Sequence, residues 1–234
     1  MKKNGFTLAE VLITLGIIGV ISALTLPALL NDTQGAQVGP RLGKAASMFE
    51  QANQVLLQEN SVDSLFDGGF YTRAGANISD IESYLSNLSR YLKITHYKGT
   101  AYNVALDNNN FDHRITDNGA SWISKDGVIY TVSFWKRRKE RASDPSHKTM
   151  ICYVLIDINR NSEPNLPGTD VFAFSLRDDG SLIPAGAYKW NIYEASSPTW
   201  QNNCANNATP ANRNYYMCTA SIFENNMKVM YKMR

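Results

Sequence analysis

From Phe6 to Leu30 the chain is almost wholly apolar, F-T-L-A-E-V-L-I-T-L-G-I-I-G-V-I-S-A-L-T-L-P-A-L-L, and one ionisable residue, Glu10, interrupts it. No other feature constrains the fold as strongly. About 20 apolar residues span a bilayer, so this segment is long enough to cross one as a helix. Hydrocarbon offers a carboxylate no partner. A charge at the centre of a membrane helix costs roughly 2.5–3.5 kcal/mol on insertion scales, so such a residue marks a functional site and needs a partner. Ahead of the run stands a short basic leader, M-K-K-N-G, whose charges are Lys2 and Lys3.

Two ordinary explanations compete for this segment. A secretory signal peptide has an apolar core of about 7–15 residues and ends at a small-residue cleavage site. This run is longer, and no A-x-A followed by a polar chain stands at its end. A plain membrane anchor fits the length, and Lys2 and Lys3 would hold the N-terminus in the cytoplasm with the rest outside. That reading leaves Glu10 and the Gly5–Phe6 junction unexplained. The basic leader, the junction G-F-T-L-A-E and the glutamate shortly after it resemble the type IV prepilins, including the pseudopilins of type II secretion. The resemblance covers roughly the first 30 residues.

The resemblance implies a set of roles. In that family a membrane-embedded aspartyl protease, the prepilin peptidase, cuts after the glycine that precedes the apolar run, here Gly5. The same enzyme N-methylates the new terminus, here Phe6. Glu10 is then the acidic residue that meets the N-terminal amine of a neighbouring subunit during assembly. Physically, a carboxylate and an ammonium without partners in their own helices remove two desolvation penalties by pairing across subunits. Gly16, Gly19 and Pro27 stand where the family has helix-weakening residues, and Pro27 removes a helical hydrogen bond. The implied partners are the peptidase, other pilin or pseudopilin subunits, an inner-membrane assembly platform and membrane lipid. The implied location is the bacterial inner membrane, crossed once, with the globular part outside the cytoplasm before extraction into a pilus or pseudopilus.

Composition bounds the remainder. Some 200 residues of the 234 follow the apolar segment, enough for one domain with its own core. Net charge is +2, and without Lys2 and Lys3 the basic and acidic residues are equal at 21. No global field favours nucleic acid. The local exception is Lys136-Arg137-Arg138-Lys139-Glu140-Arg141, read as a solvated loop, with contact to DNA or a surface polymer as the sharper alternative. The cysteines are Cys152, Cys204 and Cys218. Outside the cytoplasm a disulfide is permitted. Cys204 and Cys218 enclose a polar, Asn-rich stretch that packing alone would hold poorly, whereas Cys152 sits in the apolar run I-C-Y-V-L-I and reads as a buried thiol. Spacing alone does not decide the pairing.

The periodicity gives an α+β order. The domain reading is a leader over residues 1–5, a transmembrane and assembly helix over 6–30, its continuation over 31–60, and a globular pilin-like unit over 61–234. Leu42, Ala45, Ala46, Phe49, Ala52 and Leu56 recur at helical spacing, with a break or bend expected before them at Gly35, Gly39 and Pro40. Residues 61–76 read as a loop. Ser79–Glu82 forms a capping box ahead of Leu85, Leu88 and Leu92. Strands follow at Tyr102–Leu106, Ala120–Ser124, Val128–Trp135, Met150–Asp157 and Asp170–Leu176, with turns at Lys125-Asp126-Gly127 and Asp178-Asp179-Gly180. A short helix over Cys218–Asn225 and a strand over Lys228–Lys232 close the chain. This is a long N-terminal helix, half of it transmembrane, packed on a C-terminal antiparallel sheet, and the family's fold has the same form.

Little here points to catalysis. G-x-S-x-G, H-E-x-x-H and a Gly-rich phosphate loop are all missing from the sequence, and His96, His113 and His147 are scattered. Trp122, Trp135, Trp190 and Trp200 could stack on sugars, but buried aromatics are commoner. The strongest ligand candidate is the loop L-I-D-I-N-R-N-S-E-P-N-L-P-G-T-D, where Asp157, Asn159, Asn161, Asn165 and Asp170 offer oxygens. Calcium takes 6–8 oxygens from such loops. Major type II pseudopilins carry a calcium site in their C-terminal β-region, and this loop is similar in character. The competing reading is a turn in which Asp and Asn bond their own backbone. Two functions therefore stand. One is a structural subunit, non-enzymatic and of the minor kind, which the length and the Asn- and Tyr-rich tail favour. The other is a pilin-like tip or binding module whose C-terminal domain contacts DNA, a surface or secreted cargo.

Overall fold

The structure, a computed structural model, describes residues 7–70, 78–100, 119–134, 150–160, 162, 167–187, 204 and 218–227. The chain falls into two compact units, Met1–Gln37 and Val38–Arg234. Helix α1, Leu8–Glu59, contributes to both. In the first unit it carries the apolar segment, and Leu8–Thr25 is long and apolar enough to cross a membrane, with a mean hydropathy of 2.2. Its large apolar side chains, such as Leu12, Ile13 and Val20, are exposed.

The second unit is an α+β body. Helix α2 spans Ile78–Leu92. Six strands follow: β1 Ile94–Thr100, β2 Gly119–Ser124, β3 Ile129–Phe134, β4 Met150–Asp157, β5 Val171–Arg177 and β6 Leu182–Pro184. They form one antiparallel sheet in the order β1-β2-β3-β4-β5-β6, each strand beside its sequence neighbour. Helix α3, Thr219–Glu224, comes last.

The pleat sorts the strand residues by face. Trp122 faces Tyr130, Val132 faces Val154, and Val154 faces Phe174 across successive ladders. These residues form one buried cluster with Leu42, Ala45, Phe49 and Leu56 of α1 and with Ile81, Leu85 and Leu88 of α2. Phe49 stacks on Tyr130 at 5.5 Å between ring centroids. The Tyr130 hydroxyl donates to the Ala45 carbonyl at 3.2 Å. The opposite face of the sheet is buried too, which is why β4 and β5 read as nearly continuous apolar runs. Its hydroxyls find one another across the ladder, with Ser121 Oγ and Thr131 Oγ1 2.8 Å apart.

The two predicted hairpin turns are where α1 grips the sheet. At Lys125-Asp126-Gly127, Asp126 accepts from Ser124 Oγ at 2.6 Å and from Lys44 Nζ at 3.3 Å. These donors, the Ser124 hydroxyl foremost, hold its carboxyl below the usual range. At Asp178-Asp179-Gly180, Gln54 Nε2 donates to the Asp179 carbonyl at 2.7 Å, and the Leu182 N–H donates to Glu50 at 2.7 Å.

Several expectations change. The break at Gly35, Gly39 and Pro40 does not occur, because α1 is helical throughout. Burial of Val38 and Leu42 in the core overrides the weak local propensity. Helix α2 begins at Ile78, so Ser79 lies within its first turn and not ahead of it. Strand β1 begins at Ile94, where a strand was not expected, and β6 adds a short edge after the second turn. The expected strands Tyr102–Leu106 and Lys228–Lys232 lie outside the described residues.

Gly180 gives a prediction. Its φ is +80°, and a Cβ there would stand 2.8 Å from Asn53 Cβ. Asn53 cannot swing away, since its Nδ2 donates to the Phe49 carbonyl at 3.0 Å and its Oδ1 accepts from the Tyr84 hydroxyl. Gly180→Ala is expected to cost about 1–3 kcal/mol, the usual range for a strained backbone position. Urea unfolding of the full chain measures it, and superimposable curves would refute the tight contact.

Candidate functional site

The N-terminal segment brings Thr7 and Glu10 together at the start of α1. Thr7 precedes α1 and Glu10 lies in its first turn. The Thr7 N–H and Thr7 Oγ1 both donate to Glu10 Oε2, each at 2.8 Å. The Glu10 N–H donates back to Thr7 Oγ1 at 3.3 Å. This is a reciprocal capping box, and it satisfies donors that a helix start leaves open. A carboxylate is also favoured there by the positive end of the helix dipole. Farther along, Thr14 Oγ1 donates to the Glu10 carbonyl at 2.9 Å and Thr25 Oγ1 to the Ile21 carbonyl at 2.9 Å. Hydroxyls that bond their own helix in this way need no partner from a surrounding hydrocarbon.

Glu10 therefore has a partner in its own chain, contrary to the expectation from sequence. The signal was available, because T-L-A-E at Thr7–Glu10 has the same Thr-x-x-Glu spacing as other capping boxes. Both side-chain bonds fall on Oε2, and among the described residues no hydrogen bond falls on Oε1. Gly16 and Gly19 lie within α1 with open space where a Cβ would stand, and Pro27 lies within the same helix. Gly5 and Phe6 lie outside the described residues.

The loop after β4 is described in part. Asp157 and Asp170 are both buried, and the Ile158 N–H donates to the Asp170 carbonyl at 3.0 Å. The Asn159 N–H donates to Asp157 Oδ1 at 3.0 Å, an Asx turn. Asn159 Nδ2 donates to Asp170 Oδ2 at 3.2 Å. Asn159 thus presents its amide nitrogen to Asp170, and its Oδ1, the atom a cation would take, is buried without a hydrogen-bond partner among the described residues. Asn161 and Asn165 lie outside the described residues. Among the described residues, no three His, Cys, Asp or Glu side chains come together where they could hold a metal ion.

Cys204 and Cys218 are joined in a disulfide, with their Cα atoms 5.3 Å apart. Cys152 is a free, fully buried thiol, and burial pushes its pKa well up. Trp122 is a core residue on the helix-facing side of the sheet. Trp135, Trp190, Trp200 and the basic run Lys136–Arg141 lie outside the described residues.

An exposed, membrane-length helix with one carboxylate in its first turn, ahead of an α+β unit, is a pilin-like arrangement. Residues 1–26 match the prokaryotic N-terminal methylation motif. The chain therefore carries a prepilin-type N-terminus and is pilin- or pseudopilin-like. No solved structure matches it.

The loop geometry gives a second prediction. Asp157→Ala removes the Asx turn and is expected to cost about 1–3 kcal/mol, as for a buried polar group left without its partner. Melting curves of the unaltered protein in calcium and in chelator are expected to coincide, as a turn requires. A rise of several degrees in calcium, abolished by Asp157→Ala, would instead place an ion in the loop.

Proposed function

We propose that this chain is a structural, non-enzymatic subunit, of the minor kind, of a type IV pilus or a type II secretion pseudopilus. One observation carries the reading. The segment matched to the N-terminal methylation motif runs straight into an exposed apolar helix with a carboxylate in its first turn. In this reading a prepilin peptidase hydrolyses the Gly5–Phe6 bond in the inner membrane and methylates the freed amine of Phe6. Lipid holds the apolar part of α1 until an inner-membrane assembly platform passes the subunit to its neighbours. The globular unit stays outside the cytoplasm.

Glu10 supports the reading through its geometry. The cap with Thr7 uses Oε2 and leaves Oε1 for the amine of a neighbouring subunit. Capping and pairing across subunits can therefore coexist on one carboxylate, which stays solvated by protein groups before a neighbour arrives. Gly16, Gly19 and Pro27 would let α1 loosen when the helices pack in a filament, since each weakens a helix from within.

Two predictions follow from the proposal. Intact-mass analysis of membrane-extracted protein should show a chain that begins at Phe6 and carries one added methyl group. A mature protein that starts at Met1, or near Asn31, refutes the processing. Second, Glu10→Ala should insert in the membrane as well as the unaltered chain, while its share in sheared filaments falls about tenfold or more. A hydrogen bond to a charged group contributes about 1.5–3 kcal/mol, and such a loss is of that order. Incorporation at the ordinary level would defeat the pairing.

A further inference from the structure

Two glycines one helical turn apart on α1, Gly39 and Gly43, are filled by a single residue from the other end of the chain. A Cβ at position 39 would overlap the Met227 carbonyl group and stand 3.0 Å from Met227 Cα. A Cβ at position 43 would stand 3.1 Å from both Met227 Sδ and Met227 Cε. The backbone of the C-terminal turn thus lies on Gly39, and the end of the Met227 side chain lies over Gly43. Gly16 and Gly19 on the same helix meet nothing within 4 Å.

The turn that delivers Met227 is unusual. Asn226 and Met227 have φ of 55° and 62°, two successive left-handed residues that are not glycine. Such backbone persists only where its surroundings over-determine it. Here the surroundings are visible. The Met227 N–H donates to the Ile222 carbonyl at 2.8 Å, and Asn225 Nδ2 donates to the Ser221 carbonyl at 2.7 Å. Ile222 is fully buried in the core, and Phe223 meets Phe174 edge-on at 5.7 Å.

The other end of the same segment is fixed independently. Cys218 immediately precedes α3 and is tied to Cys204. The Ala220 N–H donates to the Ala185 carbonyl at 3.0 Å, and Thr219 Oγ1 accepts from the Ala173 N–H at 3.1 Å. The disulfide and β5 hold the start of the segment, and α1 receives its end.

We infer that Cys218–Met227 is a latch, with Gly39 and Gly43 as its seat, that anchors the first turns of α1 belonging to the globular unit. Val38, the first residue of that unit, is buried beside the seat. The latch secures α1 where the globular unit begins to hold it. It does so with a contact between the two ends of the unit's sequence, so α1 is fully held only after the C-terminal segment has folded. This inference stands on the contacts alone and does not depend on which filament the chain serves.

Hydrogen exchange read by mass spectrometry on the full chain in detergent micelles tests it. Gly39→Ala should speed exchange of the amides over residues 38–46 and 219–227 by about tenfold or more, with β4 still protected, as for local opening of one cooperative segment. Gly43→Ala should act in the same direction but less, since it meets only the flexible end of a side chain. Gly16→Ala should leave both regions unchanged. Without a latch the sign reverses, because alanine favours a helix over glycine. Unchanged or slower exchange over 38–46 in Gly39→Ala overturns the inference. If Gly39→Ala does not fold, Met227→Pro decides, because it removes the N–H that bonds the Ile222 carbonyl, forbids the positive φ that lays the backbone on Gly39, and leaves α1 intact. Faster exchange over 38–46 supports the latch, and ordinary protection there overturns it.

Discussion

A helix that enters hydrocarbon must satisfy its polar groups from within, and this requirement organises the N-terminal part of the chain. The Leu8–Thr25 segment is apolar enough to cross a membrane, yet it begins on a carboxylate and includes two threonines. Each of these is dealt with locally. Thr14 and Thr25 bond to carbonyls of the preceding turn. Glu10 is drawn back over the start of the helix by Thr7. The carboxylate thus carries two hydrogen bonds from its own chain. In the proposed assembly, the energy available to a neighbouring subunit would then be the extra gained by adding a cation, not the whole cost of burying a bare charge.

The part of α1 from Val38 onward obeys the opposite rule. It presents Leu42, Phe49 and Leu56 to a sheet whose facing residues are Trp122, Tyr130, Val154 and Phe174. The same helix then uses its flanking polar residues, Lys44, Glu50 and Gln54, to hold the two hairpin turns. Turn and helix therefore constrain each other. A loss of packing along the apolar seam would release both hairpins, and a distortion of the Gly180 turn would press on Asn53 in the core. One element thus carries the apolar segment of the first unit and the spine of the second.

Much of this was legible in the sequence, for identifiable reasons. Strands β3 to β5 stood out because both faces are buried and the runs are dense in Val, Ile, Tyr and Phe. The turns were legible because Asp-Gly pairs require the backbone that Gly127 and Gly180 adopt, with φ of 85° and 80°. Strand β1, I-T-H-Y-K-G-T, was not legible. It is an edge strand, polar and irregular in register, and it carries no alternation to read. The cap at Thr7–Glu10 was missed for a different reason. Its spacing was in plain view, but the carboxylate was assigned wholly to a partner in another subunit. The loop after β4 was ambiguous because aspartate and asparagine suit both turns and cations, and the Asx turn at Asp157 leaves Asn159 Oδ1 unused.

The glycines show most clearly what pattern alone leaves out. Gly16 and Gly19, like Gly39 and Gly43, lie close together along α1, and propensity treats all four as weak points. The structure separates them by what stands where a side chain would be. Around the first pair there is open space, so the absence of a Cβ costs helix stability and returns nothing within the isolated chain. At the second pair the same absence admits the Met227 carbonyl and thioether, and the helix continues unbroken through Pro40. A break expected from Gly39 is therefore a contact seen from one side only. Its other half lies nearly two hundred residues away in sequence, where Asn226 and Met227 take left-handed backbone that no local signal demands. Local weakness in α1 and local strain after α3 are two sides of one long-range interaction, and neither is intelligible without the other.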